Sequence, residues 1–275
     1  MNVSRSGMLA AWGTSYLQQA VALDDAVEHI IGPGRARVFA LTPGLEQESV
    51  DTAIRALISH DRTQLPAGRP AIRLVPDTEE HRPLGWILTD LRRQGVTRLH
   101  AAFPAPGDIA GLPAGPATTG ALASGEAVIV VDGGIILVPT VDDPNDTNWT
   151  QFAGSAHADY VSAADAQFEL TEQLSHSTAL LTALDVPSWN HAYGRISRMA
   201  MDEADSDRLP AHFPVRATSL LHRGAQLSAI LQVAARDWTG GAINTHEARA
   251  RAAALAPLDR CVRRALAAAY NSAPH

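Results

Sequence analysis

Apolar residues recur along this chain in two rhythms, and the places where the rhythm changes outline its elements. Leu17, Val21, Val27, Ile30 and Ile31 return every third or fourth position or so, which predicts a helix over 15–31, stopped by Gly32-Pro33-Gly34. Short apolar runs follow at 37–41, 71–75 and 98–103, separated by helical patterns over 47–60 and 84–94, the latter closed by Gly95. Strand, helix, strand, helix, strand is the pattern of βαβ units, because parallel neighbours need a long crossover and a helix supplies one. A parallel arrangement of these first three strands is therefore expected.

The texture then shifts. Residues 105–125 are rich in Gly, Pro and Ala, with a short helix predicted over 117–123. Two β-branched runs, 127–131 and 135–138, flank Asp132-Gly133-Gly134. Such a pair predicts a hairpin, since glycine reaches positive φ in the tight turn at little cost. Another strand is expected over 149–154.

From Ser162 onward the period is helical. Ser162 and Asp165 stand at capping-box spacing, and Phe168, Thr171, Leu174, Thr178, Leu181 and Leu184 share one predicted apolar face. Further helices are expected over 190–204, from Pro214 to Asp237, and from Asn244 to Asn271, the last kinked or split at Pro257. The fold class read from these patterns is α/β (α+β): a small mixed sheet built from βαβ units plus a β-hairpin, followed by a mostly helical C-terminal part. Domains are expected at 1–155 and 156–275, the second packed on the first or on a second copy.

Composition narrows the chemistry. The 22 basic residues are all arginine. Without lysine there is no pyridoxal-phosphate Schiff base, no P-loop nucleotide site and no standard protein-kinase site. From Leu99 to Asn190 no arginine occurs, while eleven carboxylates do, so a nucleic-acid partner for that third is disfavoured. The single cysteine, Cys261, precludes an internal disulfide and a multi-cysteine metal site, and a reducing, cytoplasmic setting is expected. Arg5, the apolar run to Trp12 and Ala20-Val21-Ala22 faintly echo a signal peptide. Gly13, Thr14, Ser15 and Gln18 interrupt that run, so an amphipathic first helix is the preferred reading. The most apolar stretch, 127–139, is short and broken by Asp132, so no membrane span is expected.

Candidate ligand groups cluster after strand ends. Prolines at 43, 76, 104 and 139 close four predicted strands, and Asp77 and Asp108 follow two of them. In open α/β sheets ligands gather at the carboxyl ends of strands, which makes Asp77, Asp108, Thr118 and Glu126 the candidate binding residues. The same residues fit a plainer account, in which proline ends strands and aspartate favours turns. The acidic, arginine-free middle suits a divalent cation or an amine better than a phosphate compound. None of the eleven histidines forms HxH, HExxH or HxxxH, and no GxSxG marks a nucleophile elbow. No catalytic residue or cofactor is indicated. Cys261, among Arg260, Arg263 and Arg264, is a small helix residue by default, with a lowered thiol pKa as the alternative.

The runs Pro106-Gly107-Asp108, Gly111-Leu112-Pro113 and Gly125-Glu126-Ala127-Val128 resemble an uncharacterised protein family of high-GC bacteria. So do Ala183-Leu184-Asp185-Val186 and the ending from Ala252 through Leu258 to Asn271. The resemblance covers most of the chain and implies no activity or site residues. Two functions are therefore expected as alternatives. One is a dimerising interaction or structural protein. The other is a small-molecule or divalent-cation-dependent enzyme or binding protein using the strand ends.

Overall fold

The computed structural model describes residues 4–31, 35–40, 82–143, 146–154, 161–183, 209–241 and 245–274. The strand expected over 71–75, the helices over 47–60 and 190–204, and Asp77 lie outside the described residues. The chain divides into two compact units, Arg5–Asp159 and Tyr160–His275, the latter with residues 1–4.

The first unit is built on a mixed sheet. Its strands are β1 (Arg35–Ala40), β2 (Arg82–Pro83), β3 (Leu99–Ala102), β4 (Ala127–Val130), β5 (Ile135–Asp143) and β6 (Asp146–Ala153), in the order β2-β1-β6-β5-β4-β3. Strands β3 to β6 form an antiparallel meander, β1 adds to β6 in parallel, and β2 pairs antiparallel with β1. The mixed sheet is as expected, and among the described residues the parallel pair is β1 with β6, not β1 with β3. The pairings make β1 and β3 run in opposite directions at different places in the sheet. The expected parallel direction of β1 and β3 is not met, because β3 pairs with the hairpin that follows it, and short antiparallel connections need no crossover.

The hairpin forms between β4 and β5. Asp132 and Gly134 take the positive φ values, 59° and 64°, and the Gly133 N–H donates to the Val130 carbonyl at 3.1 Å. Side-chain alternation sends Ala102, Ala127, Ile129, Ile136 and Val138 to one face. There they pack with Leu112 and with Ala117 and Ala121 of a helix over Pro116–Ser124.

The other face carries α1 (Arg5–Leu17), which is buried from Ser6 to Leu17. It is a core helix rather than the amphipathic one expected. Gly13 lets it sit close: a Cβ there would lie 2.6 Å from Leu99 Cδ1. Thr14 next to it serves the outermost strand, accepting from the Leu99 N–H at 2.9 Å and donating to the Leu99 carbonyl at 3.1 Å. Those groups belong to an edge that would otherwise be open to pairing.

The single helix predicted over 15–31 is in fact the end of α1 and a separate α2 (Leu23–Ile31). Gln19 takes φ 65°, and N–H groups of Gln19 and Ala20 return to the carbonyls of Tyr16 and Ser15, the closure usually made by glycine. Gly95 performs the same stop, as expected, for α3 (Leu84–Arg93), with φ 80°. The helix over Pro116–Ser124 is α4.

The second unit contains α5 (Ala163–Ala183), α6 (Val215–Gly241) and α7 (Thr245–Tyr270), with α7 packed on both others. Ser162 caps α5 as its spacing predicts: its hydroxyl accepts from the Asp165 N–H at 3.1 Å and donates to the Asp165 carboxylate at 2.6 Å. Helix α7 runs through Pro257 as one element, so of the expected kink or split, the split does not occur. Packing on two neighbours offsets the roughly 3 kcal/mol that an internal proline costs. Leu258, Val262, Ala265, Ala268 and Ala269 are buried on it.

The predicted face of α5 is corrected by the structure. Ala166, Leu170 and Ser177 are the residues turned inward, whereas Phe168, Thr171 and Thr178 are exposed. The inward turn is also polar: Gln173 donates to Ser177 at 3.2 Å, and Ser177 reaches the Ala254 carbonyl of α7 at 3.5 Å.

Candidate functional site

The loops between β3 and β4 carry three of the four residues singled out in the sequence. Because Ala102 pairs with Ala127, the chain leaving β3 toward Asp108 and the chain entering β4 after Glu126 lie at one end of the sheet. The carboxyl ends of β1 and β3, by contrast, point opposite ways, so the condition for a shared strand-end crevice is not met for that pair.

Each of the three residues contributes to local structure. Ala105 and Asp108 exchange two backbone hydrogen bonds, at 2.9 and 2.8 Å, and the Asp108 carboxylate accepts from the Ala110 N–H at 3.3 Å. This closes a turn in which Gly107, Ala110 and Gly111 all take positive φ. Glycine does so freely, but Ala110, at φ 52°, is held there against its own preference. Thr118 is buried in the first turn of α4, its hydroxyl donating to the Pro113 carbonyl. The Glu126 carboxylate accepts from the Ser6 N–H at 3.0 Å. It thereby places negative charge at the start of α1, where unsatisfied N–H groups and the helix dipole favour it.

A fourth group was not singled out in the sequence. His100, on β3, is 7% exposed, and burial, with Arg98 adding a like charge, lowers its pKa to about 4. The imidazole is neutral at pH 7. Its position in an apolar run, Leu99-His100-Ala101-Ala102, was the available signal, because an all-buried strand leaves no polar side for it.

Cys261 departs from the alternative weighed for it. Burial and then Glu169 raise its thiol pKa, outweighing the opposite pull of Arg264 and Arg260. Arg264 sits 3.6 Å from Glu169, so part of its charge is answered there. Among the described residues no three His, Cys, Asp or Glu side chains gather to hold a metal ion. No helix among them is long and apolar enough to cross a membrane.

Comparison with known proteins places this architecture in a family. The model of the Rv1486c-like protein N-terminal domain matches residues 6–163, and that of the C-terminal domain matches residues 164–267. In two Mycobacterium tuberculosis strains, CDC 1551 / Oshkosh and ATCC 25618 / H37Rv, the uncharacterized proteins MT1533 and Rv1486c are similar to it. Each is 27% identical over 210 residues, covering 67% of this chain and 73% of the relative. No solved structure matches. The family resemblance expected from the Gly/Pro-rich passage and the chain's ending thus holds, and neither the family descriptions nor the relatives' names attach an activity to it. Matched across both of its domains, the chain belongs to the Rv1486c-like protein family.

Proposed function

We propose that this protein is a cytoplasmic interaction protein that pairs with a second copy of itself through the outward face of α5. The observation that supports this reading is Phe168, a large apolar side chain 63% exposed in the middle of a helix face. Ala164, Thr171, Ser175, Thr178 and Thr182 are also exposed, and with Phe168 they follow one another at alternating spacings of four and three. That spacing is the seam of paired helices.

The seam asks little of water. The hydroxyls of Thr171, Ser175, Thr178 and Thr182 donate to carbonyls one turn back, at 2.9, 3.1, 2.8 and 2.8 Å. A partner helix laid over them strands no donor. Two-fold pairing is the commonest way such a face is covered. The lone thiol of Cys261 suits a reducing compartment. The interaction reading is preferred to a small-molecule or divalent-cation site at the strand ends because the polar groups of Asp108, Thr118 and Glu126 already hold backbone in place.

Size-exclusion chromatography with light scattering tests it. The expected result is a dimer that Phe168→Glu converts to a folded monomer. A wild-type monomer across the micromolar range overturns the proposal.

A further inference from the structure

Trp149 and Gln151 stand two residues apart on β6, where the register against β5 is unbroken from Ala153 to Asn148. Their side chains therefore leave the sheet on the same face, opposite to Phe152 and the cluster under α4. Trp149 is 1% exposed. Its indole Nε1 and the Oε1 of Gln151 are both shut off from solvent, and neither has a hydrogen-bond partner among the described residues. The residues facing them across β5, Pro139 and Leu137, have side chains with nothing to donate or accept. A buried donor and a buried acceptor left unanswered side by side is an arrangement folded proteins rarely keep.

We propose that the Trp149 indole N–H and the Gln151 carbonyl share one enclosed hydroxyl group, that of a water molecule. The chemistry of the pair selects it. A metal cation has no lone pair for the indole proton, and an anion has no proton for the amide oxygen. A hydroxyl accepts from the one and donates to the other. Two hydrogen bonds of about 2.9 Å meeting at one tetrahedral oxygen span about 4.7 Å, within reach of long side chains whose same-face Cα atoms lie about 6.6 Å apart. The water sits on the strand that joins the antiparallel meander to the parallel β1, and it ties two consecutive anchors there.

A double-mutant cycle in denaturant tests this with Trp149→Phe and Gln151→Met, which keep most of the volume and remove the polar atoms. Each single variant is expected to raise the unfolding constant about 5- to 10-fold, and the double variant little more than either, because the same water is lost once. Single variants as stable as wild type or more so, with additive effects, overturn the proposal, since that is how two atoms without a partner behave. Should Trp149→Phe not fold, Gln151→Met alone decides: a lowered midpoint supports the water, and an unchanged or raised one removes it. Native mass spectrometry separates the sources. The mass of the bare chain supports water, whereas an added mass carried by wild type and missing from Gln151→Met overturns it in favour of a small hydroxylic ligand.

Discussion

The two units of this protein fill their interiors differently. In the sheet unit large side chains meet across short strands: Leu99, Ile136, Leu137 and Trp149 are almost wholly buried, with Leu84, Leu88 and Leu91 of α3. In the helical unit much of the buried surface is alanine, at Ala217, Ala225 and Ala229 on α6 and Ala265, Ala268 and Ala269 on α7. A Cβ on Gly224 of α6 would lie 2.9 Å from Leu266 Cδ2 of α7. Large side chains make up more of the first interior and alanine more of the second, although α1 also closes tightly on Leu99 at Gly13. Removing atoms should therefore injure the first, and adding them the second.

The largest expected effect is truncation in the sheet. Ile136→Ala should cost about 3–4 kcal/mol by denaturant unfolding, from lost burial plus the cavity left behind. Phe168→Ala should stay within about 0.5 kcal/mol for the monomer, because that ring is mostly in water. Equal costs for the two would mean that Phe168 is buried rather than in water.

Next in size is a pH effect confined to the sheet unit. The folded-state pKa of His100, about 4, lies below its ordinary value of 6.5. The unfolded chain thus takes up this proton first, and stability is lost as pH falls from about 6.5 to about 4, by roughly 3 kcal/mol. Above 6.5 the contribution is constant. His100→Gln should flatten that part of the stability profile, and a profile parallel to wild type would show that His100 does not carry it.

Enlargement of the helical interior comes third. Gly224→Val should destabilise by about 2 kcal/mol, since the new atoms meet the Leu266 side chain at 2.9 Å or less, which must turn aside or carry α7 with it. A neutral or stabilising outcome would mean that α6 and α7 adjust freely. Fourth is a local effect: Ser162→Ala removes the α5 cap and should lower stability by about 1 kcal/mol, read as a reduced melting temperature.

Different elements were legible for different reasons. The hairpin at Asp132, the stop at Gly95, the cap at Ser162 and the short α4 were readable because each is decided within a few residues by φ preferences or a single hydrogen bond. The face of α5 was not. With Thr, Ser and Ala around most of the helix, hydrophobicity barely separates one stripe from another, and Leu170 with Ala166 prevailed over Phe168 through its fit to α7. At the candidate site the sequence identified Asp108, Thr118 and Glu126 as singular. Only the folded chain joins Glu126 to Ser6, 120 residues away. His100 was passed over because its chemistry comes from burial rather than from any neighbour in a motif.

By itself, the sequence determined the helical or extended character of most described segments and the absence of every lysine-dependent chemistry. Those follow from local conformational energy and from side-chain identity. Tertiary structure alone decided that β1 is parallel to β6 and antiparallel to β3, that α1 is a core helix, and that Phe168 faces outward. Pairing and burial depend on which distant surfaces meet. Alternative meetings differ by a few kcal/mol summed over many contacts, a margin that no short stretch of sequence displays.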